Sequence, residues 1–380
     1  MKSFTELPLS ALLKSNLSKH GFVQPTPIQE LAIEPALAGR DLVATAQTGT
    51  GKTLAFVLPI IHHISAQAGH SGVNAQAGIR AVILTPTREL AIQISEVFAK
   101  MAAGSGVRAA VAVGGLSERV QLQAIRKGAQ VLIATPGRLF DFLGRKLVNL
   151  SQVRTLVLDE ADRMLDMGFL PTVTKIMAAM PSDRQTLLFS ATIQSSVQHL
   201  VKNHVRNAVR VEAGDTTQPI AKIALHLYEV EQDCKLGLLE NMLRKEPGSF
   251  LVFARTKHGA DKLSKKLARG GVNAAVIHGN RSQSQRTHAL RGFQEGDYRV
   301  LVATDVAARG IHVEGISHVV NYDLPQVPED FIHRVGRTGR AGASGTASTF
   351  ATRSERSQIA QIERKLDSKL MRRALLQSTN

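Results

Sequence analysis

Asp41-Leu42-Val43-Ala44-Thr45-Ala46-Gln47-Thr48-Gly49-Thr50-Gly51-Lys52-Thr53 is the stretch from which the rest of the chain can be read. Residues 41–45 form a short apolar run that enters a Gly-rich loop directly, and residues 54–64 continue with helical spacing. A strand, a loop and a helix in this order turn backbone N–H groups and a helix N-terminus toward a phosphate. Lys52 is expected to reach the outer phosphates of a nucleoside triphosphate, and Thr53 to ligate magnesium. The strict loop pattern has Gly where this chain has Ala46; Gly51, Lys52 and Thr53 keep it, and Gly49 adds a further glycine to the loop.

Working outward, Thr155-Leu156-Val157-Leu158 delivers Asp159 and Glu160 at the C-terminal end of a second apolar run, where sheet folds of this type place ligands. Asp159 is expected to hold magnesium, largely through water, and Glu160 to orient or deprotonate an attacking water. Far downstream, Arg337 and Arg340 are spaced to stabilise charge as a terminal phosphate leaves. A site divided in this way works when two bodies close on each other, so catalysis and conformational change are expected to be linked.

The 380 residues suffice for two domains of ordinary size. Short apolar runs alternate with helical patterns, which predicts an α/β fold: two tandem domains, each a mostly parallel sheet covered by helices. Strands are expected at 41–45, 81–85, 107–113, 130–134, 155–158 and 185–189, then at 249–253, 273–277, 299–303, 318–321 and 346–350. The polar stretch from Glu212 to Pro219 reads as the connection. The domains are therefore 1–211 and 222–380, joined by 212–221. Residues 65–78, rich in Ala, Gly, Gln and Ser, read as a mobile surface loop. Ile359, Ile362, Leu366 and Leu370 have helical spacing beside Lys365, Lys369, Arg372 and Arg373. They form either a docked terminal helix or a basic helix that touches nucleic acid.

A net charge of +16, from 47 basic and 31 acidic residues, favours a polyanionic partner. Nucleic acid is preferred to a membrane surface, because no amphipathic basic helix or lipidation signal stands out. The lone Cys234 excludes an internal disulfide framework and a Cys-based zinc site, and reads as a small buried hydrophobe. With no apolar signal core at the start and no run long enough to span a bilayer, a cytoplasmic location is expected.

Asp159-Glu160-Ala161-Asp162 reads DEAD in one-letter code. With the loop and the arginine pair, the chain resembles the DEAD-box RNA helicases over almost its whole length. Phe4 and the run from Gly21 to Gln29 are similar to the family's Q motif. The resemblance implies that Gln29 reads the adenine edge, that Phe22 stacks on it, and that Thr26, Gln47, Thr48, Gly49, Thr50, Gly51, Lys52 and Thr53 bind ATP with Mg2+. It also implies two RecA-like domains, with Arg337 and Arg340 meeting the γ-phosphate on closure. RNA-backbone contacts are implied at Arg88, Gly115, Thr135 and Arg138, and at Arg255, Arg286 and Thr304. Ser190-Ala191-Thr192 matches the segment that couples hydrolysis to strand separation, with Ser190 and Thr192 as its polar members. The wording of residues 163–169 and 256–260 is most similar to the bacterial RhlE-type group. The partner is then RNA, single-stranded or duplex, with ribosome-assembly or RNA-decay factors as further candidates.

One departure stands in the fifth motif, where Gly310-Ile311 is followed by His312 and the family usually has Asp. Gly310 and position 312 are implied in holding the ATP ribose. A mostly neutral imidazole donates one hydrogen bond but cannot act as a carboxylate. Either closed-state ATP binding is weakened, or His312 serves adequately. Aromatic residues make up 4% of the chain, which argues against a base-stacking platform. Two rivals remain: a DNA-directed motor on the same core, which the DEAD tetrad and Q motif disfavour, and an ATP-gated RNA clamp with weak unwinding.

Overall fold

The computed structural model describes residues 3–46, 49–71, 78–213, 223–308, 315–339 and 345–374. The chain divides into two compact units, Met1–Thr216 and Thr217–Asn380. In the first unit lie strands β1 (Leu42–Ala46), β2 (Ala81–Leu84), β3 (Ala109–Ala112), β4 (Val131–Ala134), β5 (Thr155–Leu158), β6 (Gln185–Ser190) and β7 (Val209–Ala213). They pair in the order β3-β4-β2-β5-β6-β1-β7, every neighbour parallel. Alternation along the strands explains their nearly unbroken apolar runs. Ile83, Ile133, Val157 and Leu187 enter one core, and Val82, Leu132, Leu156 and Leu188 enter the core on the opposite face.

The second unit contains β8 (Ile223–Glu229), β9 (Phe250–Phe253), β10 (Ala274–Ile277), β11 (Val300–Ala303), β12 (His318–Asn321), β13 (Gly345–Ala351) and β14 (Met371–Arg373). Their order is β10-β11-β9-β12-β13-β8-β14, again all parallel. Counted from its own first strand, each sheet runs third, fourth, second, fifth, sixth, first, seventh. The two units therefore share one topology. Because every strand points the same way, the loops that follow the strands gather along one edge of each sheet, which is where such folds carry their chemistry.

The structure corrects several sequence expectations. β7, β8 and β14 were not foreseen, and the expected connection starts inside β7, where Glu212 and Ala213 pair with Thr45 and Ala46; residues 214–221 lie outside the described residues. Residues 65–71 are not a loop but continue the helix Lys52–Ser71, and residues 72–77 lie outside the described residues. The terminal helix Arg356–Leu366 is docked, with Ile359 and Ile362 buried in the second unit's core. It stops at Asp367, whose φ of 49° is left-handed, and Leu370 is buried beyond it, leading into β14. Cys234 is exposed, not buried. No helix among the described residues is long and apolar enough to cross a membrane.

Candidate functional site

The loop after β1 turns through Gly49 and Gly51, at φ of 89° and 84°, a region that side chains with a Cβ rarely occupy. Gln47 and Thr48 lie outside the described residues. Lys52 opens the next helix, is buried, and donates from Nζ to the Ala46 carbonyl at 3.0 Å. Thr53 follows it in the same first turn. Thr26 and Gln29 clamp this loop from outside. Thr26 Oγ1 donates to the Thr50 carbonyl at 2.7 Å, and Gln29 Nε2 donates to the Gly51 carbonyl at 2.8 Å. Gln29 Oε1 accepts from the Thr26 N–H at 2.9 Å, closing a capping box at the start of the helix Pro27–Leu37. A Cβ at Gly51 would stand 2.5 Å from Gln29 Nε2, so the glycine is required by close approach as well as by its turn. Phe22 is half-buried against the neighbouring core.

At the end of β5, Asp159 and Glu160 are both 3% exposed. Burial pushes the Asp159 carboxyl up to about 6; Lys52 works against this and Glu160 adds to it. Glu160 has a left-handed backbone (φ 51°, ψ 53°) as it enters the helix Ala161–Asp166, a conformation that costs a non-glycine residue about 1–3 kcal/mol. Its Oε2 accepts from Arg163 Nη1 at 2.7 Å. A desolvated carboxylate, a second acid beside it and the Thr53 hydroxyl are hard oxygen donors. They fit a hydrated Mg2+ that completes its shell with phosphates and water.

Asp162, in sequence only the fourth letter of the tetrad, binds the segment after β6. Its Oδ2 accepts from the N–H groups of Ala191 at 3.0 Å and Thr192 at 2.8 Å, and from the Thr192 hydroxyl at 3.1 Å. The Asp162 N–H donates to Ser190 Oγ at 3.1 Å, and that hydroxyl donates to the Thr192 carbonyl at 2.7 Å. Ser190 and Thr192 are thus tied to the acidic loop by one carboxylate.

The remaining first-unit candidates follow β2, β3 and β4, the other end of the same sheet edge. Thr87 caps the helix Arg88–Met101, its Oγ1 accepting from the Leu90 N–H at 3.3 Å, and so sets where Arg88 starts. The Arg88 guanidinium lies on Gly114 and Gly115: a Cβ at Gly115, where φ is 75°, would overlap Nη1. Thr135 is buried at the start of the helix Pro136–Gly144 and donates its N–H to the Ala112 carbonyl at 3.1 Å. Arg138 lies 5.3 Å over the Phe142 ring, with Glu118 at 3.7 Å. Apart from Phe22, Thr26 and Gln29, which precede β1, the first unit's nucleotide candidates therefore follow β1 and β5, the coupling pair stands at the end of β6, and the first unit's RNA candidates follow β2, β3 and β4.

In the second unit, Arg337 is buried and its Nε donates to the His333 carbonyl at 3.2 Å. Arg340, Gly310 and His312 lie outside the described residues. Arg334, not foreseen as a site residue, is the unit's anchor. It forks onto Asp305 at 2.5 and 2.7 Å, donates to Asn321 Oδ1 at 3.1 Å and to the Asp323 carbonyl at 2.6 Å, and covers the Phe253 ring. Its planar fork, impossible to read from spacing alone, fixes the helix Pro328–Val335 that carries it. Arg286 is buried in the helix Gln283–Glu295 that follows β10, and Thr304 is buried directly after β11. Arg255 follows β9, and its guanidinium bonds Glu355 at 2.8 Å.

These two sheets and their loops define a tandem nucleotide-binding α/β protein. The family model described as DEAD/DEAH box helicase matches residues 26–200, and that of the helicase conserved C-terminal domain matches residues 234–342. The chain is 41% identical to the ATP-dependent RNA helicase CshA of Listeria monocytogenes, over 88% of this chain and 63% of that protein. It is 40% identical to the DEAD-box ATP-dependent RNA helicase CshA of Geobacillus kaustophilus, over 88% of this chain and 70% of the relative. It spans 63% and 62% of the length of the curated relatives from Listeria and Streptococcus pneumoniae. Among solved structures, S. cerevisiae Dbp5 bound to RNA and ADP BeF3 is 33% identical with a TM-score of 0.84, covering 99% of this chain and 96% of that one. The chain belongs to the DEAD-box helicase family, and each of its units is a RecA-like domain.

Proposed function

We propose that this chain is an ATP-dependent RNA helicase, which hydrolyses ATP to ADP and phosphate under stimulation by RNA and locally unwinds or remodels RNA duplexes or RNA–protein complexes. The observation that carries the reading is the single sheet edge of the first unit. Nucleotide candidates occupy the loops after β1 and β5, the coupling pair Ser190 and Thr192 stands at the end of β6, and basic or glycine-turn candidates for RNA phosphates occupy the loops after β2, β3 and β4. The RNA-helicase names of the relatives and the RNA-bound Dbp5 support the same reading.

In this mechanism Gln29 and Thr26 hold the loop in shape and select adenine, with Phe22 beside it, while Lys52 and the loop N–H groups from Gln47 to Thr53 bind the phosphates. Thr53 and Asp159 would hold Mg2+, which supplies charge neutralisation on the phosphates when bound. Glu160 orients the attacking water and takes its proton, after exchanging Arg163 for that water. Arg337 and Arg340 meet the developing charge when the units close, and Gly310 and His312 hold the ribose. RNA runs over Arg88, Gly115, Thr135, Arg138, Arg255, Arg286 and Thr304 through phosphates and sugars, which gives affinity without base readout. Ser190 and Thr192, through Asp162, pass the state of the acidic loop to the RNA side. A cytoplasmic setting, ribosome-assembly or RNA-decay partners and an RhlE-type placement within the family belong to the same reading.

The test is ATP hydrolysis with no nucleic acid, with single-stranded RNA and with matched DNA. Stimulation by RNA alone is expected; equal stimulation by DNA overturns the RNA assignment. The sequence departure at His312 favours a second reading, an ATP-gated RNA clamp with weak unwinding. Under it, Glu160→Gln retains cellular function. His312→Asp is expected to lower the ATP Michaelis constant in the presence of RNA, and an unchanged constant shows that histidine serves.

A further inference from the structure

Lys235 holds in the second sheet the place that Lys52 holds in the first. β8 is the counterpart of β1. Lys52 stands six residues beyond Ala46, the last residue of β1, and opens the following helix. Lys235 stands six residues beyond Glu229, the last residue of β8, and opens the helix Lys235–Lys245. The strands that surround it are also counterparts. Asp323 follows β12, the equivalent of the strand that delivers Asp159, and Glu355 follows β13, the equivalent of the strand that ends in Ser190.

The surroundings of the two lysines differ. The Lys235 side chain is 1% exposed, and its Nζ lies 3.9 Å from Asp323 Oδ1 and 3.7 Å from Glu355 Oε2, with the Tyr322 ring 6.0 Å away. Neither carboxylate belongs to it alone. Asp323 Oδ2 accepts the Arg255 backbone N–H at 2.9 Å, and Glu355 Oε1 accepts Arg255 Nη2 at 2.8 Å. Glu355 is fixed further by the N–H and hydroxyl of Thr352, at 3.0 and 3.1 Å. Each carboxylate thus turns one oxygen inward to Lys235 and the other outward to Arg255.

We propose that Lys235 is a positioning residue for RNA binding: the phosphate-lysine position of this sheet is turned inward as the counter-ion of two carboxylates, which hold Arg255 at the RNA edge. The inference rests on the reading of Arg255 as an RNA contact. The physical reason is charge balance. Without Lys235, two partly buried carboxylates face the one Arg255 charge, draw its guanidinium inward and present net negative charge to an incoming phosphate.

The experiment is a double-mutant cycle on binding of a single-stranded RNA by the full chain, with Lys235→Met, Arg255→Ala and the pair, alongside thermal melting and nucleotide binding without RNA. Each single substitution is expected to weaken RNA binding about tenfold, the scale of one charge-assisted contact, and the pair no more than either alone. Nucleotide binding, which uses the first unit, is expected to be unchanged. Should Lys235→Met fail to fold, Lys235→Met with Glu355→Gln removes one charge of each sign and is expected to bind RNA near the parent level; a loss in that variant as large as that of Arg255→Ala overturns the proposal. Normal RNA affinity in folded Lys235→Met, with Arg255→Ala defective, overturns the proposal alone. Losses that multiply in the pair overturn it too, since Lys235 then acts independently of Arg255. Normal binding by Arg255→Ala overturns both the proposal and the contact it rests on.

Discussion

Asp162 Oδ2 receives both the backbone N–H and the hydroxyl of Thr192, at 2.8 and 3.1 Å, so one buried carboxylate oxygen joins the loop after β6 to the helix after β5. Asp162→Asn turns an ionised acceptor into a neutral amide facing N–H donors. A loss of about 1.5–3 kcal/mol in denaturant unfolding is expected, the usual worth of hydrogen bonds to a charged group. Thr192→Ala removes only the hydroxyl bond. If this link couples the two activities, RNA-stimulated hydrolysis survives in that variant while duplex unwinding falls; equal losses in both assays refute the coupling role.

Gly115 serves Arg88. Adding a methyl at a φ of 75°, against the guanidinium itself, forces either the turn or the arginine to move. Gly115→Ala is therefore expected to weaken single-stranded RNA binding as much as Arg88→Ala does, with ATP binding in the absence of RNA intact. Fluorescence anisotropy with labelled RNA and a labelled nucleotide separates the two effects.

Arg334 and Arg337 are three residues apart yet have opposite expected phenotypes. Arg334→Ala strands the Asp305 carboxylate and takes the donor from Asn321 Oδ1, and is expected to cost about 3–5 kcal/mol of stability. Arg337→Ala is expected to melt near the parent temperature and to lose RNA-stimulated hydrolysis. A reversal of this pattern between melting and turnover would exchange the anchoring and catalytic roles.

Glu363 ties the end of the chain to its sheet. Its oxygens accept from Lys369 at 3.0 Å and from the Leu370 N–H at 3.1 Å, just before β14. Burial alone would raise this carboxyl, but Lys369, the Leu370 N–H and Arg372 hold it below its ordinary value of 4.5. A depressed carboxyl contributes stability that is complete above the ordinary value and is lost as the pH falls through the lowered one. Amide exchange in Met371–Arg373 is expected to accelerate, relative to the intrinsic rate, only as the pH falls below that ordinary value of 4.5. In Glu363→Gln the strand is expected to be loose already at neutral pH, with that acceleration gone.

The strands that carry the candidate site were legible because each is a contiguous apolar run ending in residues of special chemistry: β1 in the glycine loop, β5 in Asp159-Glu160, β6 in Ser190. β14 was not legible: Met371-Arg372-Arg373 is exposed and basic, and only pairing with β8 makes it a strand. Arg334 was hidden for a related reason. Its partners Asp305, Asn321 and Asp323 come from other elements, and no spacing rule joins them. Cys234 looked like core because a free cysteine usually is, but the short turn at Gln232–Cys234 leaves it outward while the adjacent Lys235 is buried.

By itself the amino-acid sequence determined the two-domain α/β class, the nucleotide loop, the acidic tetrad and the family. Those depend on residues adjacent in the chain, whose backbone groups and side chains act as local units. Only the tertiary structure decided that the two sheets share one strand order, that Asp162 links two loops, and that Lys235 is the counterpart of Lys52. Parallel pairing brings together strands far apart in sequence, and a buried charge is defined by the partners that such pairing delivers to it.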